Sequence, residues 1–428
     1  MNAVISIGHY LVYLLQNGMT NKLPENMSSN PALIAAIINN IATTPQQRIT
    51  FAEYMDMVLY HPEHGYYATN AVNIGAKGDF FTSPHLGGDF GEMLGKQFVE
   101  MWEILGRPVP FCLVEMGAGQ GILAVDILNY LQQHEPDLLA VLDYLIVEKS
   151  PILRQEQQQR LQAFSVRWCS LEEIPVNDLT GCVFSNELVD ALPVHQFTIQ
   201  QGKLREIYVT VEENLSDTTL LNAGTGIERW EFKEIIDEPS TVEIFKYFDL
   251  IGIEICSPTY PDGYRSEVNL AALDWLQKVA NCLKRGYLLT IDYGYPASRY
   301  YNPARSQGTL QCYWRHSHHD NPYINIGRQD ITAHVDFTAL EVWGQRCGLD
   351  NLGFVQQGLF LMALGLGERI AALSYSNQPL QEILSRRQAL HQLLDPMGLG
   401  GFGVLLQSKG LTAAEVSHPL KGLSALSL

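Results

Sequence analysis

The segment from Phe111 to Leu128, F-C-L-V-E-M-G-A-G-Q-G-I-L-A-V-D-I-L, constrains the fold more than any other part of the chain. An apolar run typical of a buried strand leads into three glycines at alternate positions, Gly117, Gly119 and Gly121, and then into apolar residues at helical spacing. Glycines in such a turn permit positive φ and close approach of a ligand, and the start of a helix offers free N–H groups. The pattern predicts a strand, a tight turn and a helix, with a nucleotide site at the carboxyl end of a parallel strand.

The spacing of these glycines bears on which nucleotide binds there. The dinucleotide fingerprint G-x-G-x-x-G needs a glycine at position 122, where this chain has Ile122, so a nicotinamide oxidoreductase is disfavoured. The observed E-x-G-x-G-x-G resembles the first motif of class I methyltransferases, in which the turn holds the amino-acid part of S-adenosylmethionine. This resemblance makes the residues of the turn candidate cofactor-binding residues, namely Glu115, Gly117, Ala118, Gly119 and Gly121. A turn that only packs a helix on a strand is the alternative.

The second apolar strand, Tyr144 to Val147, ends in Glu148. An acid that binds a ribose is expected at about this position in either class of nucleotide-binding fold. We therefore predict that Glu148 accepts hydrogen bonds from the ribose hydroxyls of the cofactor.

Composition limits the domain count and the partners. With 428 residues the chain is long for a single domain, which predicts a core with large insertions or a second lobe. A content of 46% hydrophobic and 17% charged residues allows a sizeable core. The net charge of −18 argues against a nucleic-acid-binding surface and fits a cationic partner. The 7 cysteines have no C-x-x-C spacing, so neither a structural zinc site nor a disulfide framework is predicted, and a reducing compartment is favoured.

The N-terminal region is predicted to be neither a signal peptide nor a membrane span. Val4 to Leu15 is apolar in places but lacks a basic region and a small-residue cleavage site, so it is not predicted to be a signal peptide. No window reaches the roughly 18 apolar residues that span a bilayer. We expect no stable membrane insertion and a cytoplasmic location, or an organelle matrix if the protein is eukaryotic.

A lobe at residues 49–106 is predicted to cover the cofactor site. Thr50, with Glu53 three residues on, forms the capping box of a helix that stops before Pro62. The following segments, H-G-Y-Y-A and I-G-A-K-G-D-F-F-T-S-P-H, crowd together glycine, polar and aromatic residues, as binding loops often do. Four residues here are candidate cofactor-binding residues, namely Gly78, Asp79, Thr82 and Pro84. An irregular lobe that only packs on the core is the alternative.

The strand Gly181 to Phe184 runs into the polar loop S-N-E-L-V-D-A-L-P-V-H-Q-F. In a Rossmann-like methyltransferase the loop after the fourth strand faces the methyl group of the donor, and polar side chains there do the chemistry. Asn186, Glu187 and Asp190 are therefore the first candidates for catalytic residues that face the substrate. Alternatively, Asn186 and Asp190 cap a turn or helix, and Glu187 is solvated.

The segment between this loop and the fifth strand, Tyr287 to Ile291, is far longer than an ordinary crossover. We expect residues 196–283 to form an inserted cap or substrate lobe. The chain then closes with an apolar strand (Phe354 to Leu364), a helix (Leu380 to Leu394) and a final strand (Gly401 to Lys409).

These elements predict an α/β fold. We expect a Rossmann-like seven-stranded class I methyltransferase sheet with helices on both faces and its final strand inserted antiparallel. The predicted core comprises residues 107–195 and 284–409, with a leader and N-terminal helix at 1–48 and a C-terminal tail at 410–428.

A histidine-rich loop raises the question of a metal site. It contains His316, His318, His319 and Asp320. No regular i, i+4 ligand pair such as H-E-x-x-H accompanies them, and histidines in loops are commonly solvated. No metal site is therefore predicted.

Seven segments, taken in order, resemble one family. They are I-T-F-A-E-Y-M, H-P-E-H-G-Y-Y, G-D-F-F-T-S-P, E-M-G-A-G-Q-G, N-E-L-V-D-A-L-P-V-H-Q-F, I-D-Y-G-Y and D-I-T-A-H-V-D-F. Their combination, from about Ile49 to Lys409, resembles the MidA-like family of methyltransferases, which includes a mitochondrial complex I assembly factor that methylates an arginine. One departure is His85, where members of the family often carry a glutamate after the T-S-P run.

This resemblance implies a protein arginine N-methyltransferase that uses S-adenosylmethionine and releases S-adenosylhomocysteine. The implied substrate is a core subunit of an NADH dehydrogenase-like respiratory complex, whose assembly the methylation would aid. A guanidinium stays protonated at neutral pH, so carboxylates must grip it bidentately and accept a proton. Glu187 and Asp190 could supply this, with Asp79 or Asp336 as reinforcements from flanking lobes. His334 is a less favoured proton acceptor.

Two alternatives stay open at this point. The glycine turn fits a methyltransferase acting on a small molecule, a lipid or another protein equally well. A non-catalytic assembly protein with a retained cofactor fold is disfavoured by the intact Gly117, Gly119, Gly121 and Glu148, because a lost site would tolerate bulkier residues in the turn. Nucleic acid is not expected as a partner, whereas a homodimer is compatible with the sequence.

Overall fold

The computed structural model describes residues 29–69, 82–213, 230–315, 317–375 and 379–424. The predicted cofactor-binding residues Gly78 and Asp79, the loop residue His316 and nearly all of the predicted leader lie outside these ranges. The α-helices are α1 (Pro31–Thr43), α2 (Phe51–Tyr60), α3 (Asp89–Ile104), α4 (Ile122–His134), α5 (Pro136–Leu139), α6 (Pro151–Arg160), α7 (Glu243–Ile251), α8 (Leu270–Cys282), α9 (Ala297–Tyr300), α10 (Phe337–Arg346), α11 (Gln357–Ala363), α12 (Leu366–Leu373), α13 (Leu380–Leu394) and α14 (Ala413–Val416). The β-strands are β1 (Ile49–Thr50), β2 (Phe111–Met116), β3 (Leu142–Val147), β4 (Val166–Cys169), β5 (Leu179–Asn186), β6 (His195–Gln200), β7 (Lys203–Glu213), β8 (Trp230–Asp237), β9 (Arg265–Val268), β10 (Leu283–Asp292), β11 (Gly294–Tyr295), β12 (Gln311–Trp314), β13 (Ser317–His319), β14 (Asp330–Thr332), β15 (Val335–Asp336), β16 (Asp350–Gln356) and β17 (Gly403–Lys409).

A seven-stranded sheet with strand order β16-β17-β10-β5-β2-β3-β4 forms the centre of the molecule. β2 pairs in parallel with β5 and β3, β10 pairs in parallel with β5, and β17 runs antiparallel between β10 and β16. The predicted α/β sheet with its final strand inserted antiparallel is confirmed. The strand order reverses between β2 and β5, which places a crevice at their carboxyl ends, where open α/β sheets bind ligands.

Alternate residues of the central strands fill two hydrophobic clusters, one on each face of this sheet. Along β2, Phe111 and Leu113 belong to one cluster, and Cys112 and Val114 belong to the other. Helices α3, α4, α11, α12 and α13 contribute to the first cluster, and α8 and α10 to the second. The prediction of helices on both faces is therefore confirmed.

A lobe next to the central sheet is built on a second sheet, with strand order β1-β7-β6-β9 and with β8 paired to β7. Its core combines distant parts of the chain, because α1, α2, β7, β8, β12 and β14 all contribute to one hydrophobic cluster. The hydroxyl of Tyr54 on α2 donates a hydrogen bond to the carbonyl of Pro322 at 2.9 Å. The lobe thus unites N-terminal helices, the segment after β5 and the segment around β12.

The packing of α8 differs from the predicted inserted lobe at 196–283. Trp275, Leu276 and Val279 of this helix are buried in the cluster on one face of the central sheet. The chain has therefore returned to the central sheet before residue 283, because α8 is the helix that covers the sheet on the way to β10. The other predicted domain boundaries stay predictions.

The predicted apolar strand from Phe354 to Leu364 is wrong in its second half. β16 ends at Gln356 and α11 follows directly. The buried residues there recur at the i, i+3, i+4, i+7 spacing of one helix face, namely Gln357, Phe360, Leu361 and Leu364. A short apolar run is compatible with a strand or a helix, and the packing of this face decides for the helix.

The predicted capping box at the start of α2 is confirmed. The backbone N–H of Glu53 donates to Oγ1 of Thr50 at 3.1 Å, and the backbone N–H of Thr50 donates to Oε2 of Glu53 at 2.7 Å. Among the residues that the structure describes, no helix is both long enough and apolar enough to cross a membrane.

Candidate active site

The glycine turn between β2 and α4 lines a cavity of about 240 Å³, named the first cavity. Gly117, Gly119 and Gly121 have φ values of 69°, 52° and 76°, which lie in the left-handed region that glycine adopts without strain. Gly117, Ala118 and Gly119 line the cavity, whereas Gly121 lies against the side chain of Gln157. The predicted strand, turn and helix are therefore present, and the turn opens onto a cavity.

Glu148, which follows β3 directly, also lines the first cavity. Its Oε1 accepts a hydrogen bond from the backbone N–H of Ser150 at 2.9 Å, and its Oε2 accepts one from Nε2 of Gln157 at 3.0 Å. Nε2 of Gln157 also donates to the carbonyl of Gly119 at 2.7 Å, which ties the acid to the glycine turn. Burial raises the pKa of Glu148. The carboxylate is held in one orientation and keeps lone pairs for further donors.

Glu115, near the end of β2, is buried and lines the same cavity. The hydroxyl of Tyr144 donates a hydrogen bond to its Oε2 at 2.7 Å. Burial raises the pKa of Glu115 to about 7. The tyrosine therefore fixes the orientation of this carboxyl group, which keeps lone pairs for a ligand.

The segment that begins at Thr82 closes the first cavity from the side of α3. Thr82, Pro84 and His85 all line it. Oγ1 of Thr82 lies 2.6 Å from Nδ1 of His85, and Nε2 of His85 lies 3.2 Å from Oε1 of Gln120 in the glycine turn. His85, where the chain departs from the family pattern, therefore contacts the turn and belongs to the first cavity.

A second cavity, of about 730 Å³, adjoins the first. Tyr67 and Glu187 line both cavities and so mark their junction. Asn186 lines the first cavity, whereas Asp190 and His334 line the second. The rest of the second cavity has a largely aromatic wall, which includes Tyr293, Tyr295, Tyr313, Phe354 and Phe402. The structure thus brings all four predicted catalytic residues to two connected cavities.

Three carboxyl groups lie together at the carboxyl ends of β5 and β10. Burial and the nearby charge of Asp190 raise the pKa of Glu187 to about 8, and burial raises the pKa of Asp190 to about 6. Burial also raises the pKa of Asp292 well above its ordinary value, and the charges of Asp190 and Glu187 add to this. Oδ2 of Asp292 accepts hydrogen bonds from the backbone N–H groups of Val189 at 2.9 Å and Asp190 at 3.3 Å. Asp292 therefore holds the loop that carries the other two acids.

Glu187 has a φ of 54°, a left-handed conformation that non-glycine residues rarely adopt. Its backbone N–H donates to the carbonyl of Ile291 at 2.9 Å, and its Oε1 accepts a hydrogen bond from Nδ2 of Asn186 at 3.1 Å. Backbone strain of this kind persists only where surrounding contacts enforce it, and it clusters at functional sites.

Between residues 186 and 191, two side-chain polar atoms are buried without a hydrogen-bond partner among the described residues. They are Oδ1 of Asn186 and Oδ1 of Asp190. Buried polar atoms are nearly always paired, so unpaired ones on a cavity wall are candidates for pairing with a ligand. Asn186 lines the first cavity and Asp190 lines the second, so each cavity has one of these two residues on its wall.

His334 stacks on the ring of Tyr295 with centroids 5.0 Å apart and meets the ring of Tyr293 edge-on at 5.0 Å. Burial, and then the charge of Arg305, lowers the pKa of His334 to about 4. The imidazole is therefore uncharged at neutral pH. An imidazole with this low pKa takes up a proton less readily than the carboxylates of Asp190 and Glu187 do. This agrees with the prediction that His334 is a less favoured proton acceptor.

A family model of S-adenosyl-L-methionine-dependent methyltransferases matches residues 93–355 of the chain, which is more than half of its length. The chain belongs to this family. S-adenosyl-L-methionine is accordingly the cofactor of this methyltransferase, and S-adenosyl-L-homocysteine is the product left after transfer of the methyl group.

Individual relatives agree with this assignment. The methyltransferase is 30% identical to the mitochondrial protein arginine methyltransferase NDUFAF7 homolog of Drosophila melanogaster, over 88% of this chain and 85% of the relative. It is 28% identical to the mitochondrial protein arginine methyltransferase NDUFAF7 of Homo sapiens, over 82% and 78% of the two chains. A crystal structure of a COG1565 superfamily member from Burkholderia thailandensis, bound to S-adenosyl-homocysteine, is 30% identical, with a TM-score of 0.77 over 94% of this chain and 97% of that one.

The residues of the first cavity fit this cofactor. A Cβ atom at Gly117 would lie 2.7 Å from Cδ1 of Leu188, so the bare glycine leaves room that any side chain would fill. Glu148 would hold the ribose hydroxyls, and the unpaired Oδ1 of Asn186 would accept a hydrogen bond from the ammonium of the methionine part. These individual roles stay predictions.

Asp336 lines neither cavity, so its position does not support the predicted reinforcing role. Its Oδ1 accepts a hydrogen bond from the backbone N–H of Ala339 at 3.3 Å and caps α10. Its Oδ2 accepts one from the hydroxyl of Tyr247 at 3.0 Å.

The residues of the site that the sequence reasoning misses include Tyr67, Tyr293 and Asp330. All three line the second cavity. The hydroxyl of Tyr67 donates to Oδ1 of Asp330 at 2.9 Å, and the side chain of Tyr293 partly offsets the effect of burial on the pKa of Asp190. Tyr293 follows β10 directly, so its place at the carboxyl edge of the sheet is a signal that could have identified it.

Among the described residues, no group of three or more histidine, cysteine, aspartate or glutamate side chains is arranged to hold a metal ion. This finding covers His318, His319 and Asp320, whereas His316 lies outside the described ranges.

Gly117→Ala is expected to weaken S-adenosyl-homocysteine binding by at least about tenfold, measured by calorimetric titration, because overpacking against Leu188 closes the first cavity. Gly202→Ala is the matched control. Gly202 has a similar φ of 70°, but a Cβ there would meet no atom within 4 Å. The control should lose about 1 kcal/mol of stability and bind normally. Normal binding by Gly117→Ala would show that the first cavity is not the donor site.

Proposed function

We propose that this methyltransferase is a protein arginine N-methyltransferase. When bound, S-adenosyl-L-methionine supplies an electrophilic methyl group for in-line displacement by a nucleophile. The observation that carries the proposal is the position of Glu187, which lies at the junction of the two cavities with Asp190 on the adjoining wall. An acceptor entering the second cavity meets these two acids at the point where that cavity opens to the first.

Arginine is the acceptor for which such a pair of acids is most useful. A guanidinium is a poor nucleophile because it is protonated and its lone pairs are delocalised. Two carboxylates can pair with it, localise its charge away from the attacking nitrogen and take the proton that the nitrogen loses as the new nitrogen–carbon bond forms. The raised pKa of Glu187, about 8, makes it an effective proton acceptor near neutral pH.

The aromatic wall of the second cavity suits the same acceptor. Tyr293 and Tyr313 line it, and tyrosine rings attract a guanidinium placed over their faces. A neutral small-molecule nucleophile would gain little from this wall or from the acids.

The names of the relatives support arginine as the acceptor. The resemblance in the seven sequence segments further supports, as the protein substrate, a core subunit of an NADH dehydrogenase-like respiratory complex, with methylation aiding its assembly. We place this activity in the cytoplasm or, in a eukaryote, in an organelle matrix.

The pH dependence of turnover should follow the two acids. At low pH Glu187 and Asp190 are both protonated and cannot pair with a cation. They ionise as pH rises through about 6 for Asp190 and about 8 for Glu187. We expect kcat/KM to rise between these values and to level off above them, with the lower step absent from Asp190→Asn. A profile that is flat from pH 6 to pH 9 would contradict the role of these two acids.

The experiment that tests the proposed function is mass spectrometry of the respiratory NADH dehydrogenase from a strain lacking this gene. We expect one arginine to lose its methyl groups, and the wild-type gene to restore them. The Glu187→Gln variant is expected not to restore them. If every methylarginine persists in the deletion strain, this complex is not the substrate.

A further inference from the structure

Two arginines stack on one tyrosine beside the second cavity. Cζ of Arg299 lies 4.2 Å from the ring centroid of Tyr295, and Cζ of Arg305 lies 4.5 Å from it. Arg299 is exposed and lines the cavity together with Tyr295 and His334, whereas Asp190 on another part of the wall is buried. Arg299 therefore lies on the exposed side of the second cavity, and Glu187 lies at its junction with the first. Arg305 does not line the cavity itself but contacts the same Tyr295 ring.

Neither guanidinium has a carboxylate partner among the described residues, and Nε of Arg305 is buried without any hydrogen-bond partner there. Other arginines of this chain, such as Arg285, Arg369 and Arg386, form ion pairs with carboxylates. Since the chain has 46 acidic and 28 basic residues, two adjacent cations without a counter-charge are unexpected.

The electrostatic effect of this cluster on its surroundings is visible at His334. After burial, the charge of Arg305 and then that of Arg299 contribute to the lowered pKa of this histidine. Like charges held close together repel each other, and an anion placed between them offsets the repulsion. A planar guanidinium also presents paired donors that match the two oxygens of a carboxylate.

We infer that Arg299 and Arg305 form an anion-binding site for the carboxylate of an aspartate or glutamate that neighbours the target arginine in the protein substrate. The inference rests on the proposed function, because Arg299 and Tyr295 lie on the wall of the cavity that admits the target side chain. The carboxylate that binds there belongs to the same polypeptide segment as the target arginine, because it binds while the target side chain reaches Glu187.

The charges along the second cavity then select the sequence around the target. Asp190, Glu187 and Asp330 on the cavity wall attract the guanidinium, and Arg299 on the same wall, with Arg305 beside it, attracts an acid. The same arginines repel lysine or arginine beside the target. The enzyme therefore prefers an arginine flanked by acidic residues and discriminates against arginine-rich or lysine-rich segments.

The test uses the full-length enzyme with S-adenosyl-L-methionine and three short synthetic peptides. Each peptide has a single central arginine in a glycine and serine background, flanked by glutamate, glutamine or lysine. Methyl transfer is measured as kcat and KM, and binding is measured separately by fluorescence anisotropy with S-adenosyl-homocysteine present.

The enzyme variants are Arg299→Gln/Arg305→Gln and, as a matched control, Arg107→Gln. Arg107 also stacks on an aromatic ring, at 5.0 Å from the Trp102 centroid, but lines neither cavity.

For the wild type and the control, we expect KM for the glutamate peptide to be at least about tenfold lower than for the glutamine peptide, with similar kcat. The lysine peptide should be the poorest substrate. In the double variant the preference should fall below about twofold. An equal KM for all three peptides, or a preference that survives in the double variant, would overturn the anion site.

The two readouts separate this inference from the proposed function. Tighter binding of the glutamate peptide without methyl transfer would support the anion site and reject arginine as the acceptor. Methyl transfer without a preference for acidic flanks would support arginine as the acceptor and reject the anion site. Failure of every peptide to bind or to be methylated would overturn both.

Discussion

Replacement of Glu187 by glutamine is expected to lower kcat at least about 1,000-fold while changing the Kd for S-adenosyl-homocysteine less than about threefold. Glutamine preserves the shape of the side chain at the junction of the two cavities but cannot take a proton or neutralise a guanidinium. Both losses act on the acceptor, so they appear in kcat and in kcat/KM together. Transfer of labelled methyl groups and calorimetric titration measure the two quantities.

Asp126→Asn is the matched control for this variant. Asp126 on α4 also has a pKa that burial raises to about 6, but it lines neither cavity. Its variant should turn over at the wild-type rate. Loss of donor affinity in Glu187→Gln would mean that Glu187 binds the donor and not the acceptor. Unchanged turnover would mean that Glu187 has no role in methyl transfer.

Glu148→Ala is expected to raise the Kd for S-adenosyl-homocysteine by about 100-fold, because two charge-assisted hydrogen bonds to the ribose are lost. The variant also loses the bonds that Glu148 accepts from Ser150 and Gln157, so some loss of stability should accompany it. A thermal unfolding curve therefore has to establish that the variant is folded at the titration temperature.

Glu156→Ala provides the comparison for this second variant. Glu156 lies on α6, pairs with Arg160 at the surface and lines neither cavity. It should bind S-adenosyl-homocysteine with wild-type affinity. A change of less than about threefold in Glu148→Ala would place the ribose elsewhere in the first cavity.

The sequence is most informative where structure follows from neighbouring residues. The glycine turn after β2 and the acid after β3 can be predicted because strand, turn and helix each leave a local pattern. The rule that ligands bind at the carboxyl edge of a parallel sheet then brings Asn186, Glu187 and Asp190 to the site without any knowledge of distant contacts.

The second cavity could not be predicted in this way, because its wall depends on contacts between distant residues. Tyr67 and Asp330 are hydrogen-bonded across 263 positions of the chain. For the same reason, the sequence could not predict which of Asp330 and Asp336 lines the second cavity. Both acids lie in the segment Q-D-I-T-A-H-V-D-F, and only the start of α10 decides that Asp336 becomes a helix cap while Asp330 lines the cavity.

The lobe beside the central sheet has a consequence for how substrate range can change in evolution. Its hydrophobic cluster joins residues as distant as Leu33 and Ala333, and Tyr54 on α2 is anchored to Pro322. A chimera that takes only the stretch between β5 and α8 from a relative would therefore set foreign side chains against host residues in one shared interior. New specificity has to be inherited through matched changes in three separate regions of the gene.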